Sequence, residues 1–202
     1  MKLIFSPTSP YVRKCLVTAA EVGLLDRLTL EVGSAHPINR DANILPHNPL
    51  GKVPTLITDE GLNLFDSRVI CEYLNHLGGG DLLPEPGPLR WRAQTLQALG
   101  DGILDAALLI RYEKNARPEA LRWSEWVDGK HHAIHTSLTH LNEHPSDFQA
   151  PFHLGLLTVS CALWYLDLRF PELQWRDRYP QLSQSAKEIM NRPAMQMSWS
   201  SP

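Results

Sequence analysis

The chain has 202 residues, enough to bury a sizeable core in one domain or in two small, closely packed ones. A formal net charge of -3 and a pI near 6.3 leave no electrostatic footprint for nucleic acid, so a small molecule or a protein is the expected partner. Three cysteines without CxxC spacing argue against a disulfide framework or a zinc ribbon. The opening MKLIF is too short for a signal peptide, and the most apolar stretch, residues 154–166, is too short to span a bilayer. A soluble, cytoplasmic protein with no membrane contact is expected.

Leu3, Ile4 and Phe5 read as a buried strand. Val12, Cys15, Leu16, Ala19 and Val22 then recur at helical spacing until Gly23 offers a stop. Leu28, Leu30 and Val32 alternate with Thr29 and Glu31, so a second strand follows, with the helix as a crossover between parallel partners. "VPTLITDEGLNLF" offers two β-rich runs broken by Asp59-Glu60-Gly61, a hairpin signal. Asp66-Ser67 caps a helix that carries Val69, Ile70, Tyr73, Leu74 and Leu77 and ends at Gly78-Gly79-Gly80.

Three prolines and a glycine within "LLPEPGPL" cannot continue a helix, which makes this stretch the expected boundary. The division read from it is a first domain over residues 1–79, a linker over 80–88 and an all-helical domain over 89–202. Helical periodicity in the second part predicts a long helix to about Asn115, another over residues 119–143, and a last one over 179–191. Residues 154–168 are apolar nearly all round, so that helix is expected at the centre of its bundle.

Three junctions of the first domain carry polar or proline residues where strand ends and helix starts should converge. Ser9-Pro10 opens the first helix, with Ser able to cap and Pro suited to the first helical position. Val53-Pro54 enters the third strand, where a proline without a turn suggests a cis bond. Asp66-Ser67 starts a helix whose free N-H groups suit an anion.

Taken together, "SPTSPYVRK", "NPLGKVPTL", "FDS" at residues 65–67, "GDGILDAALLIRYEKNARPE", "CALWYLDLRFP" and "RPAMQ" resemble the bacterial cytosolic glutathione S-transferases over essentially the whole chain. The resemblance implies an α/β plus all-α architecture: a thioredoxin-like βαβ-ββα domain, then a helical bundle, together the GST fold. It also implies a homodimer that takes glutathione as co-substrate, uses no metal, and attacks an apolar electrophile with the glutathione thiolate. An ordinary thiol pKa near ~8.5 must fall by about two units, or about 2.7 kcal/mol. One hydroxyl hydrogen bond to the charged sulfur supplies about 1.5–3 kcal/mol, and a helix N-terminus up to about 2.

By resemblance, Ser9 is the catalytic hydroxyl, with Ser6 and Thr8 as rivals. Pro10 and Tyr11 begin the helix beside the tripeptide. The main chain of Val53, preceding Pro54, pairs with the cysteinyl unit, and Lys52 meets a terminal carboxylate unless it is only a loop cation. Ser67 holds the γ-glutamyl carboxylate, while Asp66 either caps the helix or meets the α-ammonium. Arg13 and Lys14 read as solvent-facing. A pocket for the second substrate between the domains draws on Asp101, Asp105, Leu108 and Tyr112, spaced to share one helical face, although the last two equally suit core packing.

A position without cysteine at Ser9, and Val12 three residues on, disfavour disulfide exchange. Rival readings of the same scaffold are a non-catalytic protein-interaction or regulatory protein, and a glutathione-dependent isomerase or dehalogenase. Five histidines over residues 131–144 fall on opposite helical faces and read as a solvated surface rather than a metal site, while tryptophans 123, 126, 164 and 175 read as core. Where relatives commonly open the central helix with Ser/Thr-x-x-Asp, Thr158-Val159-Ser160-Cys161 reads as half a capping box, which predicts that Cys161→Asp stabilises the fold.

Overall fold

A computed structural model describes residues 1–197. The chain divides into two compact units, Met1–Glu85 joined by the described residues from Pro193 on, and Pro86–Arg192. The change of unit at Glu85 falls within the proline-rich stretch, and the last helical turn groups with the first unit rather than the second.

In unit 1, β1 (Lys2–Phe5) lies inside a four-stranded sheet of order β2-β1-β3-β4. It pairs in parallel with β2 (Thr29–Val32), Leu3 opposite Leu30, and antiparallel with β3 (Thr55–Ile57), Ile4 opposite Thr55. The short β4 (Asn63–Leu64) closes the expected hairpin, with Leu56 opposite Leu64 and Asp59-Glu60-Gly61 in the turn. Leu3, Ile4, Phe5 and Leu56 have no exposed surface. Each such side chain contributes about 1.5–3 kcal/mol by leaving water.

Two helices accompany this sheet and pack on each other: α1 (Pro10–Glu21), the crossover between the parallel strands, and α2 (Ser67–Leu77), which also meets β3. In α2 the buried positions 67, 70, 71, 74 and 75 form one stripe, as the sequence pattern predicts. In α1 every residue from 12 to 19 is buried, including Arg13 and Lys14. The solvent-facing reading of these two cations is therefore wrong. Arg13 donates to the main-chain oxygens of Met195 and Met197, which ties α1 to the C-terminal turn α8 (Pro193–Gln196).

Unit 2 is helical. Its long α3 (Pro88–Asn115) packs against α4 (Ser124–Glu143) and, most extensively, α5 (Leu154–Arg169). A short turn, α6 (Trp175–Arg178), and an 11-residue helix, α7 (Pro180–Met190), follow. Residues 154–163 of α5 are all buried, as expected for a central helix. Residues 119–123 stand outside α4, because a 3-10 turn occupies Glu119–Leu121 and the Glu113 carboxylate takes the N-H of Trp123 at 2.9 Å. Trp123 is 61 % exposed, against its reading as core, whereas Trp175 is buried.

The capping of α5 also differs from the sequence expectation. His153 is the cap: its Nδ1 accepts from the N-H of Gly155 at 3.1 Å and of Leu156 at 3.3 Å. Thr158 lies inside the helix, with its hydroxyl on the Leu154 carbonyl at 2.7 Å, and Cys161 is fully buried. A carboxylate at 161 would thus be buried in mid-helix, which removes the premise that Cys161→Asp completes a cap and makes a loss of stability the expected result.

Candidate functional site

Sheet register brings the three junctions to one end of unit 1. β1 ends at Phe5, whose neighbour Ile4 pairs with Thr55, so the loop entering β3 lies beside the β1 exit. Leu64 pairs with Leu56, which returns β4 to the same end and delivers Asp66-Ser67 there.

Ser9 caps α1 in extended conformation, and its Oγ accepts from the N-H of Val12 at 3.3 Å. Accepting that bond leaves the O-H proton of Ser9 free to donate to an incoming atom. Pro10 takes the first helical position and is buried; Tyr11 follows half-exposed. Ser6 engages through its carbonyl, which receives the Ser9 N-H at 3.0 Å, and Thr8 is exposed.

The second junction is held by a side chain that the motif reading passed over. Asn48 is buried; its Nδ2 donates to the Lys52 carbonyl at 3.1 Å and to Thr55 Oγ1 at 3.0 Å, while its Oδ1 accepts from Leu50 N-H at 3.0 Å. The Val53-Pro54 bond is cis, as expected, and so is Phe65-Asp66. The N-H and C=O of Val53 enter no hydrogen bond among the described residues, which leaves an edge open to an extended backbone. Lys52 is exposed.

At the third junction Asp66 is the cap of α2. One oxygen takes the Arg68 N-H at 2.9 Å and the other meets the Arg68 guanidinium at 3.1 Å. Burial pushes the Asp66 carboxyl up, but the hydrogen bonds and charge of Arg68, with Lys14 behind, outweigh it and hold the pKa below the ordinary value. Ser67 is buried at the first helical position, and its Oγ receives the Lys14 ammonium at 3.2 Å. Lys14, read as surface, is thus a buried cation at the start of α2.

Unit 2 carries the other expected residues on α3. Asp101 is buried, Asp105 exposed, and Leu108 and Tyr112 half-exposed, so the four share a helix side without equal access to solvent. Burial pushes the Tyr112 hydroxyl up, opposed by Arg111. Burial likewise raises Tyr165 on α5, against Arg111 and Arg169, and among the described residues neither arginine is in an ion pair. Arg111, Tyr165 and Arg169 lie within the quoted stretches of sequence but were not singled out, since i, i+4 spacing on α5 says nothing of a partner on α3. Among the described residues no group of three or more His, Cys, Asp or Glu is placed to hold a metal ion, and no helix is long and apolar enough to cross a membrane.

A thioredoxin-like sheet that presents an open main-chain edge beside two capped helix starts defines a class of domain suited to a short, anionic, extended peptide. Residues 8–77 match the family described as glutathione S-transferase, N-terminal domain. The chain is 33 % identical over 196 residues to the uncharacterized GST-like protein YibF of Escherichia coli K12, covering 95 % of each. A glutathione transferase family member from Pseudomonas fluorescens Pf-5, solved with bound glutathione, is 41 % identical with TM-score 0.94 over 100 % of this chain and 99 % of that one. A second structure, of a glutathione transferase family member from the same organism with bound S-(propanoic acid)-glutathione, is 40 % identical with TM-score 0.89 over the whole of both chains. The chain belongs to the glutathione S-transferase family and has the GST fold.

Proposed function

We propose that this protein is a glutathione S-transferase in which the Ser9 hydroxyl donates a hydrogen bond to the glutathione sulfur and so favours the thiolate for attack on an electrophilic carbon. The observation that carries the reading is the Ser9 hydroxyl at the cap of α1, its lone pair committed to Val12 and its proton available, on the axis of a helix whose positive end favours negative charge. Val53 pairs with the cysteinyl main chain, Pro10 and Tyr11 flank the sulfur, and Lys52 meets a terminal carboxylate. Ser67 holds the γ-glutamyl carboxylate, with Lys14 adding charge behind it. Asp66 sets the α2 cap, and its exposed carboxylate, shared with Arg68, takes the α-ammonium. No base is required, because the sulfur is ionised by stabilising its anion, and its proton leaves to solvent.

The acceptor lies along α3, against Leu108 and Tyr112, with Asp105 exposed and Asp101 buried on the same side. A specific observation favours a carboxylate-bearing acceptor over a purely apolar one: the Pseudomonas relative holds a conjugate with propanoic acid on the glutathione sulfur. Arg111 and Arg169 offer positive charge for such a group. A homodimer is part of this reading, supported by Leu50, Leu62 and Val69 in unit 1, which are 57 %, 57 % and 46 % exposed although apolar.

The test is conjugation of a chlorodinitrobenzene-type acceptor and of acrylate by the purified protein. Ser9→Ala should lower kcat/KM for both by about two orders of magnitude, the loss of one strong hydrogen bond to charge. Full activity in that variant would remove Ser9 from the mechanism.

A further inference from the structure

Unit 1 contains two thiols that the transferase reading does not use. Cys15 on α1 and Cys71 on α2 are both fully buried, and their sulfurs stand 4.0 Å apart. A buried free cysteine commonly serves as a small apolar group, and packing alone would be satisfied by that role. Three features set this pair apart. The sulfurs face each other across two helices, so a bond between them would join points 56 residues apart in the chain, where a link within one helix would constrain nothing. Cys15 Sγ also lies 3.9 Å from the carbonyl oxygen of Ser67, at the first turn of α2. Lys14, adjacent to Cys15, sets its buried ammonium on the hydroxyl of that same serine, so the pair lies behind the first turn of α2.

We propose that Cys15 and Cys71 form an oxidation site, closed to a disulfide by hydroperoxides, and that closure weakens glutathione binding at Ser67. The chemistry stands by itself; only its consequence rests on the proposed function. One thiolate attacks the peroxide oxygen, forming S-O as O-O breaks, and the alcohol or water leaves with the proton the thiol gave up. The second sulfur then attacks the sulfenic sulfur; S-S forms, S-O breaks, and hydroxide departs with the second thiol proton as water. Two electrons pass from the two sulfurs to the peroxide, which is the oxidant consumed.

Closing the pair takes the sulfurs from 4.0 Å to about 2.05 Å. Side-chain rotation accounts for part of that movement and displacement of α1 against α2 for the rest. Both helices begin at the site, since Ser9 caps one and Ser67 opens the other, so a shift of either start changes the placement of the groups that hold glutathione. Burial makes the reaction slow beside that of an exposed thiol, because peroxide must enter through local opening. Cys161 is an internal control: it is equally buried, but lies in α5 of unit 2, and with three cysteines in the chain no further one remains to pair with it.

The experiment treats the reduced full-length protein with millimolar hydrogen peroxide, blocks free thiols, and maps peptides by mass without reductant. A Cys15–Cys71 cross-link about 2 Da lighter than the two thiols, reversed by dithiothreitol, is expected. Glutathione affinity by calorimetry should fall at least about fivefold on oxidation and return on reduction. Cys71→Ser should keep the reduced affinity and lose the response; if that variant does not fold, the dithiothreitol reversal in wild type carries the same decision. Sulfinic acid or untouched thiols at both positions, in protein still folded by circular dichroism, overturns the proposal. So does a cross-link with unchanged glutathione affinity. A reduced protein that does not bind glutathione counts against the proposed function instead, and the mass map still decides the cross-link.

Discussion

The Lys14 ammonium sits 3.2 Å from the Ser67 hydroxyl, joining α1 to the first residue of α2 inside the protein. Under the proposed function, Lys14 acts on glutathione through Ser67, as a positioning residue. Lys14→Met keeps most of the buried stem and removes the charge. It should raise KM and the dissociation constant for glutathione about tenfold, one charge-assisted bond, while kcat at saturation changes little. An equal fall in kcat would place Lys14 in the chemical step instead.

Ser9 caps α1 and, in the proposed function, also serves the sulfur, two roles that substitution can separate. Ser9→Ala removes the cap and the donor, so stability should fall by about 0.5–2 kcal/mol together with activity. Ser9→Asp restores a cap but brings a negative charge to the sulfur, so urea midpoints should stay near wild type while the bound thiol titrates at higher pH than in wild type. Wild-type conjugation by Ser9→Asp would contradict the proton-donor role.

Asn48 fixes the loop that carries Val53 with three hydrogen bonds. Asn48→Asp keeps the acceptor for Leu50 and loses both donors to Lys52 and Thr55. Stability should fall by about 1–3 kcal/mol, the cost of buried groups left unmatched, and glutathione should bind more weakly. Calorimetry and a urea titration measure the two effects.

His153 makes the stability of unit 2 depend on pH. Its Nδ1 accepts two N-H bonds only when that nitrogen is unprotonated, and burial, the largest influence, pulls the pKa below the ordinary histidine value against weaker opposing effects from its own main chain and Asp147. The unfolded chain therefore binds the proton first. The contribution is complete above about pH 6.5 and is lost as pH falls from there through the folded value. Thermal melts should show a decline of about 0.5–2 kcal/mol over that window, and His153→Ser, an acceptor without a titration, should flatten it.

Two glycines of the helical unit should respond to alanine with opposite signs. A Cβ on Gly155 would collide with the Ala93 carbonyl oxygen and come within 2.8 Å of Leu96 Cβ, whereas one on Gly102 meets nothing within 4 Å. Gly155→Ala should cost about 1–3 kcal/mol and Gly102→Ala should add up to about 1 kcal/mol through helix propensity. Equilibrium unfolding in urea reads both.

The elements that sequence made legible are those whose causes are local. Ser9-Pro10 is a cap followed by a first-position proline, Asp59-Glu60-Gly61 is a turn, and α2 shows its stripe over 11 residues. What stayed hidden has causes elsewhere in the chain. Arg13 is buried because carbonyls 182 and 184 residues away receive it, and Lys14 because Ser67 does. The α5 cap was misplaced by five residues, since an imidazole is an uncommon cap and Thr158 matched the usual pattern. Asn48 stood inside a motif whose quoted interest was the lysine, valine and proline, although its buried amide holds all three in place.

Because Arg13 of the first helix grips the backbone of Met195 and Met197, the glutathione-family unit is assembled from both flanks of its helical neighbour in sequence. A ribosome delivers residues 193–197 only after the whole of that neighbour has been made. Until then the guanidinium lacks the carbonyls of Met195 and Met197, so the N-terminal unit goes without that tie during translation, and damage to the C-terminal turn is felt by the part of the protein that was synthesised first.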